Sequence, residues 1–236
     1  MNIEKFQALL ESEFDLSHLN INNTIDKFKK YHEFLKQENK KINLTRLDSD
    51  ELFWGQYLYQ SIICYRHVNF KEINSLLDVG SGSGIPGMAL KILWPHLKLT
   101  IIESNGKKIE FLKQLVELLQ LNNVDIIYDR AEAVIKYDSR KYDLTTARAV
   151  GEVKILLELL APYTQISGQI ILPKSIGYKQ EIENIDYQLN KLRIELKEID
   201  GFVAEGFSHF VLYFYKKEKT PDIYPRDFKG IMKGFK

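Results

Sequence analysis

The sequence predicts an α/β fold: a mostly parallel, seven-stranded sheet with an antiparallel last strand, preceded by an N-terminal helical extension. Three observations predict it. From Ser75 onward, short apolar runs alternate with amphipathic helical segments, the pattern of a parallel sheet covered on both faces. Before that point, apolar residues recur at helical spacing. Between the first apolar run and the next helix lies "LLDVGSGSGIPG" (Leu76–Gly87), a glycine-rich turn of the kind that cradles a nucleotide.

The extension covers residues 1–70. Phe6, Leu9, Leu10 and Phe14 mark a first helix, and Ile25, Phe28, Tyr31, Phe34 and Leu35 a stronger second one. A third runs from Leu52 to Val68, with Ser49 or Asp50 as its cap. The sheet region covers residues 71–236. Its strands are expected at Ser75–Val79, Leu97–Ser104, Asn123–Tyr128, Tyr142–Arg148 and Gly168–Lys174. Helices are expected at Gly106–Leu121, after Arg148 in "EVKILLELLAPY", and near Lys179–Lys191. "RIELKEIDGFV" and "HFVLYFYKK" read as two antiparallel strands, the last one at an edge of the sheet.

Composition narrows the function classes. The 236 residues carry 44% hydrophobic and 28% charged side chains, enough to bury a full core without staples. No apolar run approaches the ~20 residues of a membrane span, and the acidic, amphipathic N-terminus is not a signal peptide. One cysteine, Cys64, excludes an internal disulfide and a cysteine-rich zinc site. A reducing, cytoplasmic setting is expected, with no metal. No coiled-coil pattern is present, and a monomer is expected. Net charge is +1. Two basic stretches, Lys27–Arg46 and Lys216–Lys236, flank the glycine-rich turn in sequence and favour a polyanionic substrate over two merely solvated faces.

In an open parallel sheet, ligands sit at the carboxyl ends of the strands. Gly80, Gly82 and Gly84 permit positive φ and close backbone approach there. Glu103 closes the second strand about 20 residues later, where an acid meets ribose hydroxyls. Together they point to an adenosine-containing cofactor. "GSGIPG" spells the dinucleotide pattern, but Asp78, Val79, Gly80 and Ser81 intervene between strand and first glycine. The alternative register is D-x-G-x-G-x-G with Asp78 at the strand end. An acid beside the loop attracts a sulfonium and an ammonium and repels a pyrophosphate. S-adenosylmethionine (SAM) is therefore favoured over NAD.

The acceptor follows by elimination. "TARAVG" stands after the fourth strand in place of the Asn/Asp-Pro-Pro-aromatic tetrad of exocyclic-amine methylation. Cys64 precedes the glycine turn, out of place for attack on a pyrimidine ring. A ring nitrogen with a free lone pair needs only alignment and exclusion of water. No catalytic residue is required for that proximity mechanism, and Arg148 is the candidate for positioning.

"DVGSGSGIPG", "ESNGKKIEFL", "RAEAV" (Arg130–Val134), "ARAV" (Ala147–Val150) and "LPKS" (Leu172–Ser175) succeed one another in a way that resembles the RsmG (GidB) family. These are bacterial small-subunit ribosomal RNA methyltransferases acting on guanine N7. "KINLT" (Lys41–Thr45) and "YPR" (Tyr224–Arg226) extend the likeness over most of the chain. The resemblance implies a Rossmann-like class I SAM-dependent methyltransferase fold in residues 71–236. It implies methyl transfer to 16S rRNA, free or in an assembling 30S particle, with no membrane partner. It implies cofactor contacts at Gly80, Ile85, Ala131, Glu132 and Arg148. The residue reading reaches Gly80, Glu103 and Arg148 independently. Lys174 and Arg226 join Arg148 as candidates for RNA contact. The family's Arg-His-x-x-Asp-Ser step reads "QYLYQS" (Gln56–Ser61) here, with Tyr57 for the histidine and Gln60 for the aspartate, a change expected to bear on the substrate side. The rival readings are a small-molecule SAM methyltransferase, an NAD-linked oxidoreductase and a non-catalytic assembly scaffold.

Overall fold

The computed structural model describes residues 1–46 and 49–234. Lys236 of the second basic stretch lies outside them. Two helices open the chain, α1 (Ile3–Glu13) and α2 (Ile21–Asn39). Asn2 and Asn20 cap them through side-chain oxygens that accept from the Lys5 and Asn23 amides. The third helix, α3, is broken. It passes from an α turn (Asp50–Leu52) through a π-helical stretch (Phe53–Tyr59) to an α turn (Gln60–Ile62) and a 3₁₀ turn (Ile63–Tyr65). Ser49 caps it, accepting from the Leu52 amide at 3.4 Å. Periodicity alone predicts a regular helix here. The π stretch widens each turn and is typical of functional sites.

The sheet order is β3-β2-β1-β4-β5-β7-β6. Its strands are β1 (Ser75–Val79), β2 (Lys98–Glu103), β3 (Val124–Tyr128), β4 (Tyr142–Thr146), β5 (Thr164–Lys174), β6 (Ile194–Ala204) and β7 (Phe207–Lys216). Pairing is parallel from β3 to β5, and β7 runs antiparallel to both neighbours. The last strand is thus antiparallel, as expected, but it is not at the edge. It inserts between β5 and β6, and β6 takes the edge. Glu205 and Gly206, both at positive φ, form the two-residue turn of this hairpin.

Helices α4 (Gly87–Leu93) and α5 (Gly106–Leu118) cover one face with the N-terminal layer. Helices α6 (Ala131–Val134), α7 (Val153–Leu160), α8 (Tyr178–Glu181), α9 (Asp186–Leu192) and α10 (Phe228–Met232) belong to the other. The polar segment expected as one helix near Lys179–Lys191 is split into α8 and α9, with Asn184 left-handed between them. The fourth strand stops at Thr146, so Arg148 sits in the loop that follows.

Each face has its own apolar core. Phe6, Leu10, Phe28, Tyr31 and Phe53 of the first three helices share one core with Leu76, Leu99 and Ile101 of the sheet. Leu156, Leu160, Ile170, Leu172 and Phe214 lie in the second. Residues 1–70 therefore pack as a layer on the sheet, with no apolar core of their own apart from it.

Candidate functional site

The glycine loop leaves the carboxyl end of β1, at the centre of the parallel strands. Gly80, Gly82 and Gly84 have φ of +71°, +62° and +100°, as the sequence predicts. Asp78 holds the loop from beneath. It is fully buried, and its Oδ2 accepts from the Gly87 amide at 2.8 Å, tying the strand end to the start of α4. Burial pushes its carboxyl up to about 6, with the hydrogen bond from the Gly87 amide pulling the other way. The expected acid is present in the expected register, but it lies under the loop as a brace.

Glu103 closes β2 with 6% of its surface exposed. Its Oε2 accepts from the Gly82 amide at 3.1 Å, and its Oε1 from the Ser104 and Asn105 amides at 2.9 Å each. A carboxylate has about four acceptor positions; three are taken, which leaves capacity for a hydroxyl.

The residues present fit an adenosine-type cofactor. Above Gly82 a methyl group would meet only Lys108 Nζ at 3.8 Å and Gly80 O at 4.0 Å, so the loop is open there. Beside it, Asp78 Oδ1 is buried without a hydrogen-bond partner among the described residues, a position that a polar ligand or water satisfies. Ile85, Ala131 and Glu132 are buried along the same end of the sheet. Ala131 O accepts from the Tyr163 hydroxyl at 2.6 Å, and Glu132 pairs with Arg130 at 2.5 Å.

The N-terminal layer grips this loop. Tyr31 donates its hydroxyl to the Ser83 carbonyl. The Tyr57 hydroxyl lies 2.7 Å from Ser83 Oγ, 3.1 Å from Ser83 O and 3.1 Å from the Tyr31 hydroxyl. A Cβ on Gly84 would stand 2.6 Å from that Tyr31 hydroxyl, so the close approach requires glycine. Burial pushes the Tyr57 phenol up to about 12, and both phenols remain protonated. The sequence marks neither tyrosine as a site residue. Its one signal is the departure at Tyr57, which points to the substrate side. In the structure Tyr57 touches the glycine loop, and Gln60 donates to Ala204 O at the β6–β7 turn.

Arg148 follows β4, the neighbour of β1, and donates to Ser61 Oγ on α3. The other two candidate RNA contacts are engaged elsewhere. Lys174 is bound at 2.6 Å to Glu181 and at 2.7 Å to Gly151 O, with 9% of its side chain exposed. Arg226 grips Glu158 through Nε at 2.8 Å and through a second nitrogen at 2.6 Å. Glu158 is 1% exposed. Both cations act as struts, and 29% of the Arg226 side chain stays exposed. His209 on β7 is a residue that sequence reasoning misses. Its Nε2 is buried with no partner among the described residues, and burial together with the Arg148 cation holds its pKa below the ordinary value.

Comparison with known proteins places this geometry. Solved structures of the same fold are distant in sequence. A ribosomal protein L11 methylase from Lactobacillus delbrueckii subsp. bulgaricus superposes with TM-score 0.51 at 17% identity, over 67% of this chain and 77% of that one. A mutant of MtNAS in complex with S-adenosylmethionine gives 0.56 at 14% identity, over 86% and 75%. Sequence relatives are far nearer. "Ribosomal RNA small subunit methyltransferase G" of Malacoplasma penetrans (strain HF-2) is 42% identical over 98% of both chains. The protein of that name from Bacillus cereus (strain B4264) is 38% identical over 96% of this chain and 95% of its own. The family model described as rRNA small subunit methyltransferase G matches residues 24–210. That span takes in the tyrosine grip, the glycine loop, Glu103 and Arg148, and with it the chain belongs to the GidB family, that of rRNA small subunit methyltransferase G.

Proposed function

We propose that this protein transfers the methyl group of SAM to N7 of a guanine in small-subunit (16S) ribosomal RNA. The observation that carries the proposal is Glu103. In a member of this family, a buried carboxylate with spare acceptor capacity stands beside an open glycine loop at the centre of the sheet. When bound, SAM supplies an electrophilic methyl on a sulfonium. Glu103 holds ribose hydroxyls, the Gly80–Gly84 backbone lies against the cofactor, and Asp78 adds negative charge beneath it. Ile85 and Ala131 give apolar walls.

Guanine N7 carries a lone pair and no proton. The N–C bond forms as the C–S bond breaks, the electron pair leaves on sulfur, and the base becomes cationic. No base or nucleophile is needed, so the chain's task is alignment and exclusion of water. Cys64 is unsuited to covalent attack: it is buried, donates to Gln60 O at 3.1 Å, and burial pushes its thiol up to about 12. Arg148, anchored by Ser61, is the group that orients the base edge.

The enzyme acts in the cytoplasm as a monomer, on RNA or an assembling 30S particle. Among the described residues no helix is long and apolar enough to cross a membrane. The test is transfer from tritiated SAM to unmodified 30S particles and to naked 16S RNA, followed by chemical cleavage at N7-methylguanine. One labelled guanine is expected. Absence of label from all ribosomal RNA, or label on another atom, overturns the proposal.

A further inference from the structure

A second basic feature lies at the opposite pole from the glycine loop. Lys141 precedes β4, Thr164 begins β5, and Lys216 ends the antiparallel β7. All three therefore stand at the amino ends of the parallel strands. At ~3.3 Å per residue, the strand register, with Tyr142 and Thr164 about six residues below the level of Gly80, separates them from the loop by roughly 20 Å. Between them opens a groove of about 820 Å³ lined by Lys136, Lys141, Lys216, Lys219 and Asp222 among others.

The charges in this groove do not cancel. Three exposed ammonium groups, with Lys216 buried beneath them, face one carboxylate, and Asp222 is paired with Lys219 at 2.8 Å. The nearby Asp138 is held by Arg140 through both oxygens. Lys136 makes no ion pair among the described residues. Lys141 gives one hydrogen bond there, to Pro162 O at 2.7 Å, and an ammonium has three donors. Lys216 is 1% exposed and directs its donors to Ala161 O, Leu192 O and Thr220 Oγ1. It contributes field and no contact. Burial, and then the charge of Lys141, lower its pKa to about 7. Lys141 is lowered in turn by burial and by Lys219. Like charges gathered this closely repel one another, and a bound anion relieves the repulsion.

We propose that this groove is a phosphate-binding site that docks the sugar-phosphate backbone of the RNA substrate, far from the base being methylated. The proposal rests on the ribosomal RNA reading of the glycine-loop site. Lysines with free donors suit a phosphodiester, which needs point charges and no base-specific geometry. A contact at this pole fixes the orientation of a large RNA on the enzyme and leaves the cofactor site untouched.

The test substitutes Lys136→Gln, Lys141→Gln and Lys219→Gln together in the full chain. Binding of unmodified 16S RNA is measured by fluorescence anisotropy across a salt series, next to calorimetry with S-adenosylhomocysteine and thermal unfolding. Expected are at least about tenfold weaker RNA binding near physiological salt and a log–log salt slope shallower by about 2. The Michaelis constant for RNA rises, with turnover at saturating RNA and S-adenosylhomocysteine affinity unchanged. Unchanged RNA affinity and slope, with wild-type transfer intact, overturns the groove proposal alone. Saturable binding of inorganic pyrophosphate that the substitutions abolish while RNA binding stays wild type also overturns it, in favour of a small-anion site. Absence of methyl transfer by the wild type overturns the functional reading and the groove proposal with it.

Discussion

The Tyr57 hydroxyl lies 2.7 Å from Ser83 Oγ. That contact joins the π-helical stretch of the N-terminal layer to the middle of the glycine loop, 26 residues away in the chain. With Tyr31 on the Ser83 carbonyl, two phenols from the helical layer hold one residue of the loop.

Tyr57→Phe removes the donor to Ser83 and leaves Tyr31 in place. The expected loss is about 1–2 kcal/mol of stability, the usual cost of a buried polar group losing its partner. Calorimetry should also show S-adenosylhomocysteine binding several-fold more weakly. Equal affinity in the two proteins would make the tyrosine a packing residue only.

Glu103→Gln keeps the shape of the side chain and removes its charge. Affinity for S-adenosylhomocysteine is expected to fall by about tenfold or more, at about 1.4 kcal/mol per factor of ten. Guanine-N7 transfer should persist at saturating SAM, because Glu103 binds the cofactor and does not touch the acceptor. Undiminished affinity would show that another group takes the ribose hydroxyls.

Asp78 titrates near 6 in the fold against an ordinary 3.8. The folded state thus binds the proton more tightly. Its contribution to stability is full below about pH 3.8, is lost as pH rises toward 6, and is level above that. The span is about 3 kcal/mol. Asp78→Asn keeps an acceptor for the Gly87 amide and cannot titrate. Urea unfolding from about pH 4 to pH 7 should show wild type falling behind the variant by that order. At neutral pH, SAM should stabilise wild type more than the variant, since its cationic groups offset the buried charge. Parallel pH profiles would mean that the carboxylate is solvated in solution.

Arg226→Met strands the Glu158 carboxylate, which is 1% exposed. A loss of about 3–5 kcal/mol is expected, as when one partner of a buried pair is removed. Adding Glu158→Gln should recover much of it. Thermal unfolding of the two variants checks this. RNA affinity of the folded double variant should equal that of wild type; a drop would restore Arg226 to the RNA surface.

Much of the site is legible in the sequence because backbone geometry is local. The three glycines and Asp78 fix their own register, and Glu103 follows from where the next strand ends. Long-range partners are not legible. Lys174 and Arg226 read as free cations until the fold brings Glu181 and Glu158 to them. The two final strands announce their hairpin, but insertion of β7 beside β5 depends on which edge buries Leu212 and Phe214. The π-helical stretch is invisible because its apolar residues satisfy helical periodicity equally well. Its offset is what aims Tyr57 at the loop.

Lys5 meets Glu205 at 3.1 Å across 200 residues of chain, at the tip of the β6–β7 hairpin. On the ribosome, α1 therefore waits for a further 200 residues of chain before this partner emerges. Exposed ion pairs are weak, so in that interval α1 is kept by its apolar face, with Phe6 against Phe28 and Trp54 and with Ile3, Leu9 and Leu10 beside it. The helical layer shares its core with the sheet, so it completes that core only with the parallel strands beneath it, and the hairpin tip adds its ion pair after them.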